Sequence, residues 1–296
     1  VLSFLRGDSK KVLSDLVAKS DAIIHLAGEN RPVDIADFIR VNADLTRILC
    51  EIIMATGRHI PLVLASSTQA ELENDYGQSK RTAEKLVGAF SDKTGNPVII
   101  YRLQGVFGKW CKPNYNSVVA TFCYNIARNI PIKINNASAN LKLVYIDDVV
   151  DHFMRLLDDM DLQSSLAMQT QNDSVKPQLG EVPTELTNRC FNEVTPHYTI
   201  TLGDLVEQIN AFQNCRSNLI SERVGSGITR ALYATYISYL PKEQFTYDLA
   251  QHEDDRGNFV EMLKTPDCGQ FSFFTVFPGV SRGSHYHHTK TEKFLV

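Results

Sequence analysis

The sequence has one tryptophan and no apolar run approaching the roughly 20 residues that cross a bilayer, residues 271–277 being among the longest. A membrane span is therefore not expected, and the membrane is not an expected partner. Cys50, Cys111, Cys123, Cys190, Cys215 and Cys268 form no Cys-x-x-Cys pair, and no secretory leader precedes them, which suits a reducing, cytoplasmic setting. Basic charge is not in excess: 30 Lys and Arg face 34 Asp and Glu, for a net charge of -4, so no broad basic field exists to bind nucleic acid. An isolated phosphate group remains a possible ligand. No Gly-x-Gly-x-x-Gly run precedes Asp8, so the backbone cradle for a dinucleotide pyrophosphate is missing and poor dinucleotide binding is expected. The chain opens on Val1 and stops at Phe294-Leu295-Val296, which reads as mid-strand and suggests a piece truncated at both ends.

What is present is an ordinary globular composition, 43% hydrophobic and 22% charged, with strands and helices alternating through the first hundred residues. That pattern predicts a parallel α/β sheet wrapped by helices. Strands are expected at 21–28, 61–65, 97–101 and 141–146. Helices are expected at 34–55 with Gly57 as a C-cap, at 76–90, at 117–127 and from Asp147. Residues 163–197 are polar and rich in turn formers, so they read as irregular. Helical spacing returns at 202–212, with Thr201 as N-cap, and at 228–237, before the texture changes near 240 to short strands and turns. Two domains follow, 1–240 and 241–296.

Within the first, Tyr76-Gly77-Gln78-Ser79-Lys80 places a phenol and an ammonium four apart on one helix face. An ammonium beside a phenol favours the phenolate and prepares it to exchange a proton near neutrality. An ordinary half-exposed helix start has the same spacing. The strand before it ends in Ser66-Ser67-Thr68, delivering hydroxyls to the carboxyl edge where doubly wound sheets bind ligands.

The order His25-Leu26-Ala27-Gly28, helical Asn42, Ser66-Ser67-Thr68, Tyr76 to Lys80, Tyr101-Arg102 and Phe107-Gly108 over residues 1–240 resembles the extended short-chain dehydrogenase/reductases that act on nucleotide sugars. The resemblance implies a doubly wound, Rossmann-like sheet. It makes Tyr76 the proton donor, Lys80 the residue that holds the nicotinamide ribose and lowers the phenol, and Ser67, chosen over Ser66 and Thr68 by register, the group that orients the carbonyl. Leu26, Ala27 and Gly28 would pack along the cofactor, together with Tyr76 and Lys80. Asn42 would support the active-site Lys, a plain interhelical contact being the alternative. Gln69-Ala70 replaces the Asp-Glu of a 4,6-dehydratase, which disfavours dehydration. Gln104-Gly105 stands where relatives have Pro-Asn.

Near the C-terminus, three of the eight histidines fall within four residues, at His285, His287 and His288. On a strand, His285 and His287 would share a face and Glu292 could return toward them. Two imidazoles and a carboxylate suit zinc, iron, manganese or nickel, although a surface histidine cluster has the same composition. The spacing from Gly279 through His285 and His287 to Glu292 resembles the first motif of the cupin barrels, which implies a partial all-β cupin domain and a divalent metal, with zinc the first choice. A third histidine would come from a later strand.

Together with the segment from Lys109 to Ser117, the two halves resemble the bifunctional capsular-polysaccharide UDP-sugar reductases. That resemblance implies a bacterial cytoplasmic homodimer using NADPH. The cupin part would epimerise carbon three of a UDP-2-acetamido-2,6-dideoxy-hexos-4-ulose and the reductase part would reduce its 4-keto group, giving UDP-N-acetyl-6-deoxy-L-talosamine on the way to N-acetyl-L-fucosamine. Arg102, Lys109, Asn114 and Asn116 would bind the UDP-sugar. A 4-epimerase that retains NAD and a non-catalytic sugar-nucleotide binding protein are the alternatives.

Overall fold

Helix α1 (Lys10–Ala18) opens the fold, capped by the Ser9 hydroxyl, which accepts from the Val12 N–H. After strand β1 (Ile23–His25) a π-helical stretch, Phe38–Asp44, runs into α2 (Leu45–Thr56), which Gly57 ends in the left-handed region at φ 67°. Strand β2 (Leu62–Ser67), a short turn and helix α3 (Asp75–Thr94) follow, then β3 (Val98–Leu103) and β4 (Gly105–Phe107). Next come α4 (Val118–Ile126), β5 (Asn140–Tyr145), α5 (Ile146–Thr170), β6 (Arg189–Asn192) and β7 (Tyr198–Thr201). Helices α6 (Leu202–Asn218) and α7 (Gly227–Tyr239) precede β8 (Gln251–Asp254), β9 (Gly257–Thr265) and β10 (Gly269–Phe274). This computed structural model describes residues 1–170, 189–267, 269–283, 286–288 and 293–295, with the side chains of 160–170 and 189–190 left aside.

The chain forms two compact units, one of residues 1–106 and 142–198, the other of 107–141 and 199–296. In the first, β1, β2, β3 and β6 lie side by side, all parallel. Strand periodicity sends alternate residues to opposite faces. Leu62, Leu64, Val98 and Ile100 pack with Leu13, Leu49, Ile53, Val87 and Phe90 of α1, α2 and α3. Val63, Ile99 and Tyr101 face the other way, onto Val149 and Phe153 of α5. Helices thus cover both faces, which is the doubly wound, Rossmann-like arrangement. The polar stretch read as irregular holds more structure than expected: α5 continues to Thr170, and β6 pairs along β3 from Val98↔Arg189 to Tyr101↔Asn192. Pairing with a buried neighbour supplies what local periodicity does not show. Residues 171–188 lie outside the described residues.

In the second unit, Phe212 of α6 stacks edge-on against Tyr233 of α7 at 5.2 Å and lies 6.0 Å from Tyr236. Gln213 donates to the Ile126 carbonyl of α4 at 2.6 Å. Strands β8, β9 and β10 make a three-stranded antiparallel sheet, joined to the end of α6 by Lys264 N–H donating to Leu219 O and Ser221 N–H to Lys264 O. The described residues show this sheet and no closed barrel.

Candidate active site

Strand β2 delivers its last residues to the carboxyl edge of the sheet, and α3 lies across them. Asn74 caps α3 by accepting from the Gly77 N–H at 2.7 Å. A Cβ at Gly77 would sit 2.1 Å from the Gln69 carbonyl oxygen and 2.7 Å from that of Leu72, so only glycine lets the helix start this close to the turn after β2. That approach brings the half-buried Tyr76 near Ser67, whose hydroxyl acts to lower its phenol. Thr68, the neighbouring hydroxyl, is exposed, and Ser66 turns to the other side of the strand. The Phe38 ring rests 5.9 Å from that of Tyr76.

Lys80 is 5% exposed, and its Nζ donates to the Ala65 carbonyl at 3.0 Å. Burial pulls its ammonium down to about 8, opposed by the negative charge of Glu84. Tyr76 moves the other way: burial raises its phenol, and the nearby Ser67 hydroxyl only partly offsets this. The expected lowering of the phenol by Lys80 does not enter in this structure: burial raises it and Ser67 is what acts the other way.

Beside Lys80, a Cβ on Gly28 would come within 3.1 Å of its Nζ and 3.2 Å of Asn42 Oδ1. Leu26, Ala27 and Gly28 emerge past the end of β1 and are exposed. Asn42 is buried in the π-helical stretch: it accepts from Glu29 N–H at 2.7 Å and donates to Glu29 O at 2.9 Å and Ser79 Oγ at 2.8 Å. Ser79 in turn donates to the Tyr76 carbonyl, so Asn42 ties the segment after β1 to the first turn of α3. His25 lies beneath, its Nε2 2.9 Å from Thr46 Oγ1, and the Thr46 hydroxyl donates to Asn42 O. With that proton committed, Thr46 accepts from Nε2–H. Burial first, and Lys80 second, hold His25 down to about 4.

The open edge at Leu26 to Gly28, the glycine at Lys80 and the Tyr76–Ser67 pair form a cradle that a larger residue at 28 would fill, which fits the nicotinamide end of a dinucleotide. Those residues would hold it there.

Arg102, read as a substrate residue, is paired with Glu84, with Nε to Oε1 at 3.0 Å and Nη2 to Oε2 at 2.7 Å, while Nη1 reaches Glu71 at 2.9 Å. Gln104, at the departure from the family pattern, has a buried Oε1 with no hydrogen-bond partner among the described residues. Glu84 was missed by sequence reasoning, although its spacing of four from Lys80 continues the Tyr76–Lys80 stripe.

Lys109, Asn114 and Asn116 belong to the second unit. Lys109 lies 5.4 Å over the exposed Trp110 ring, and Lys112 lies 5.3 Å over that of Tyr115. Asn114 adopts φ 54°, its N–H donating to Thr121 Oγ1 at 3.0 Å, and Asn116 is exposed. The Tyr239 hydroxyl anchors this segment by donating to Cys111 O at 2.5 Å. His287 is exposed, whereas His285 and Glu292 lie outside the described residues.

The model of the NAD dependent epimerase/dehydratase family matches residues 4–165, and that of the polysaccharide biosynthesis C-terminal domain matches 252–296. A UDP-2-acetamido-2,6-beta-L-arabino-hexul-4-ose reductase of Pseudomonas aeruginosa is 51% identical over 296 residues, which is 100% of this chain and 73% of that protein. The crystal structure of the capsular polysaccharide assembling protein CapF from Staphylococcus aureus is 36% identical with a TM-score of 0.76, covering 96% of this chain and 70% of that one. A UDP-glucuronic acid 4-epimerase from Bacillus cereus in complex with NAD, at 15% identity and TM-score 0.57 over 77% of this chain and 75% of its own, shares the fold alone. Among the described residues no helix is long and apolar enough to cross a membrane. The match over more than half of the chain, with the extent of identity to the Pseudomonas reductase, makes this chain a member of the NAD dependent epimerase/dehydratase family and an NAD(P)-dependent oxidoreductase.

Proposed function

We propose that the protein reduces the 4-keto group of a UDP-2-acetamido-2,6-dideoxy-hexos-4-ulose with NADPH. The observation that carries this reading is the 51% identity, along the whole chain, to a protein named as a reductase of such a 4-keto UDP-sugar. The Ser67, Tyr76 and Lys80 geometry supports it. When bound, the dinucleotide supplies the hydride. Tyr76 gives its phenolic proton to the carbonyl oxygen as carbon four becomes a carbinol, a contribution worth about a hundredfold to ten-thousandfold. Ser67 donates to the same oxygen and sets its direction. Lys80, an ammonium below its pKa of about 8, places positive charge beside the oxygen where negative charge develops.

Residues 1–240 are the reductase part in this proposal, and 241–296 begin a cupin-type domain that epimerises carbon three, so that the product is UDP-N-acetyl-6-deoxy-L-talosamine. The donor chemistry of His285, His287 and Glu292 fits a divalent metal, zinc first, which would supply Lewis acidity when bound. Lys109, Asn114 and Asn116 offer cationic and amide groups for the UDP-sugar, and the cytoplasmic homodimer belongs to the same proposal.

The test is NADPH consumption by the purified protein with the 4-keto UDP-sugar. Stoichiometric oxidation, lost in Tyr76→Phe, supports the reading. Activity without added NADPH, from tightly held NAD, would replace it with a 4-epimerase. Binding of the UDP-sugar with no turnover would replace it with a sugar-nucleotide binding protein.

A further inference from the structure

Helix α3 meets the end of β2 through three side chains spaced four apart. Tyr76 lies near Ser67, Lys80 donates to Ala65 O at 3.0 Å, and Glu84 Oε1 accepts from the Ser66 hydroxyl at 2.5 Å. The first two belong to the active site. The third is buried behind it, with a side chain 3% exposed, and its carboxylate takes three donors: Ser66 Oγ, Arg102 Nε and Arg102 Nη2. Arg102 sits directly opposite Ser66 in the β2–β3 register, so one carboxylate ties together α3, β2 and β3 at the carboxyl edge of the sheet.

We propose that Glu84 is a positioning residue of this site, holding the Tyr76–Lys80 face of α3 in register with the Ser66-Ser67 strand end and serving as a counter-charge for the Lys80 ammonium. The proposal rests on the reductase reading for its kinetic consequences and on geometry for the rest. Replacing a buried ion pair by apolar residues is often neutral for stability, so scaffolding alone is a poor reason for a carboxylate here. A site whose proton donor must stay within hydrogen-bond reach of the reacting oxygen is a better one.

The charges around the pair are few and nameable. Lys80 faces Glu84 and Tyr76 on its own helix and His25 from β1, which is neutral above about 4. Glu84 faces Arg102 from β3, which also binds Glu71 from the turn after β2. Removing the Glu84 charge therefore leaves Lys80 in a net positive setting, and its ammonium loses its proton more readily.

Glu84→Gln keeps the size and removes the charge. Competitive amine labelling read by mass spectrometry, on the whole protein without cofactor, should show the Lys80 midpoint falling by about one pH unit. The alkaline limb of kcat/KM should move down with it, kcat should fall about tenfold, and KM for the UDP-sugar should stay within about twofold. Glu84→Asp keeps the charge but shortens the reach: the midpoint should stay with the wild type while kcat falls. It also provides the reading if Glu84→Gln does not fold. An unmoved midpoint in folded Glu84→Gln, or an unchanged kcat in Glu84→Asp, would overturn the proposal. A wild-type protein that transfers no hydride would overturn the reductase reading instead, and the Lys80 titration would still judge Glu84.

Discussion

The carboxyl edge of the parallel sheet and the antiparallel strands near the C-terminus are built on opposite economies. Around α3 and β2, polar groups are drawn inside and each meets a partner: Asn42, Ser79, Lys80 and Glu84 are all buried and all hydrogen bonded. Strands β9 and β10 instead turn large apolar side chains outward among the described residues, with Phe271 at 65% exposure and Phe273 at 55%. The first region spends desolvation to hold chemistry in place. In the second, the described residues leave those side chains uncovered. The Tyr76–Lys80 motif is accordingly a geometry, whereas the His285–His287–Glu292 motif is still a spacing.

The comparison can be broken at its strongest point first. Tyr76→Phe removes the proposed proton donor from a site whose other groups stay paired, so kcat should drop by about a hundredfold to ten-thousandfold with substrate binding nearly kept. Steady-state kinetics on a variant with an unchanged thermal melt would show it. Gly77→Ala drives a methyl group into two backbone carbonyls, and neither belongs to a flexible side chain. Denaturant unfolding should register a loss of about 3 kcal/mol, the upper end for overpacking.

The buried polar network also has a pH signature. His25 is held down to about 4 when folded against 6.5 unfolded, so between those values the unfolded chain binds a proton that the folded chain refuses. Stability should therefore fall as pH drops from 6.5 to 4, by about 3 kcal/mol from this group. His25→Asn should flatten that slope in urea titrations at several pH values. The smallest effect belongs to the other region. Phe271→Ser on the exposed sheet should change unfolding free energy by no more than about 0.5 kcal/mol. A larger loss would mean that this sheet is packed as tightly as the carboxyl edge of the parallel sheet.

Much of the fold was legible because its signals are local. Gly57 ends α2 and Thr201 caps α6 at the positions their chemistry selects, and the four-residue spacing of Tyr76 and Lys80 survives as one face of α3. What escaped was tertiary. The pairing of Arg102 with Glu84 needs the neighbouring helix to be seen, and Phe38–Asp44 reads as ordinary helix until Asn42 is seen bonding both Glu29 and Ser79. Strand β6 was hidden for the same reason, since its partner β3 lies some ninety residues earlier.

The most direct measurement follows the hydride. NADPH carrying deuterium at the transferable position should be incubated with the 4-keto UDP-sugar and the protein, and the product examined by mass spectrometry and proton NMR. One deuterium at carbon four for each NADPH oxidised is the predicted result, and Tyr76→Phe should slow its appearance by about a hundredfold or more. Product carrying no deuterium, formed without net oxidation of the added NADPH, would contradict the reductase account.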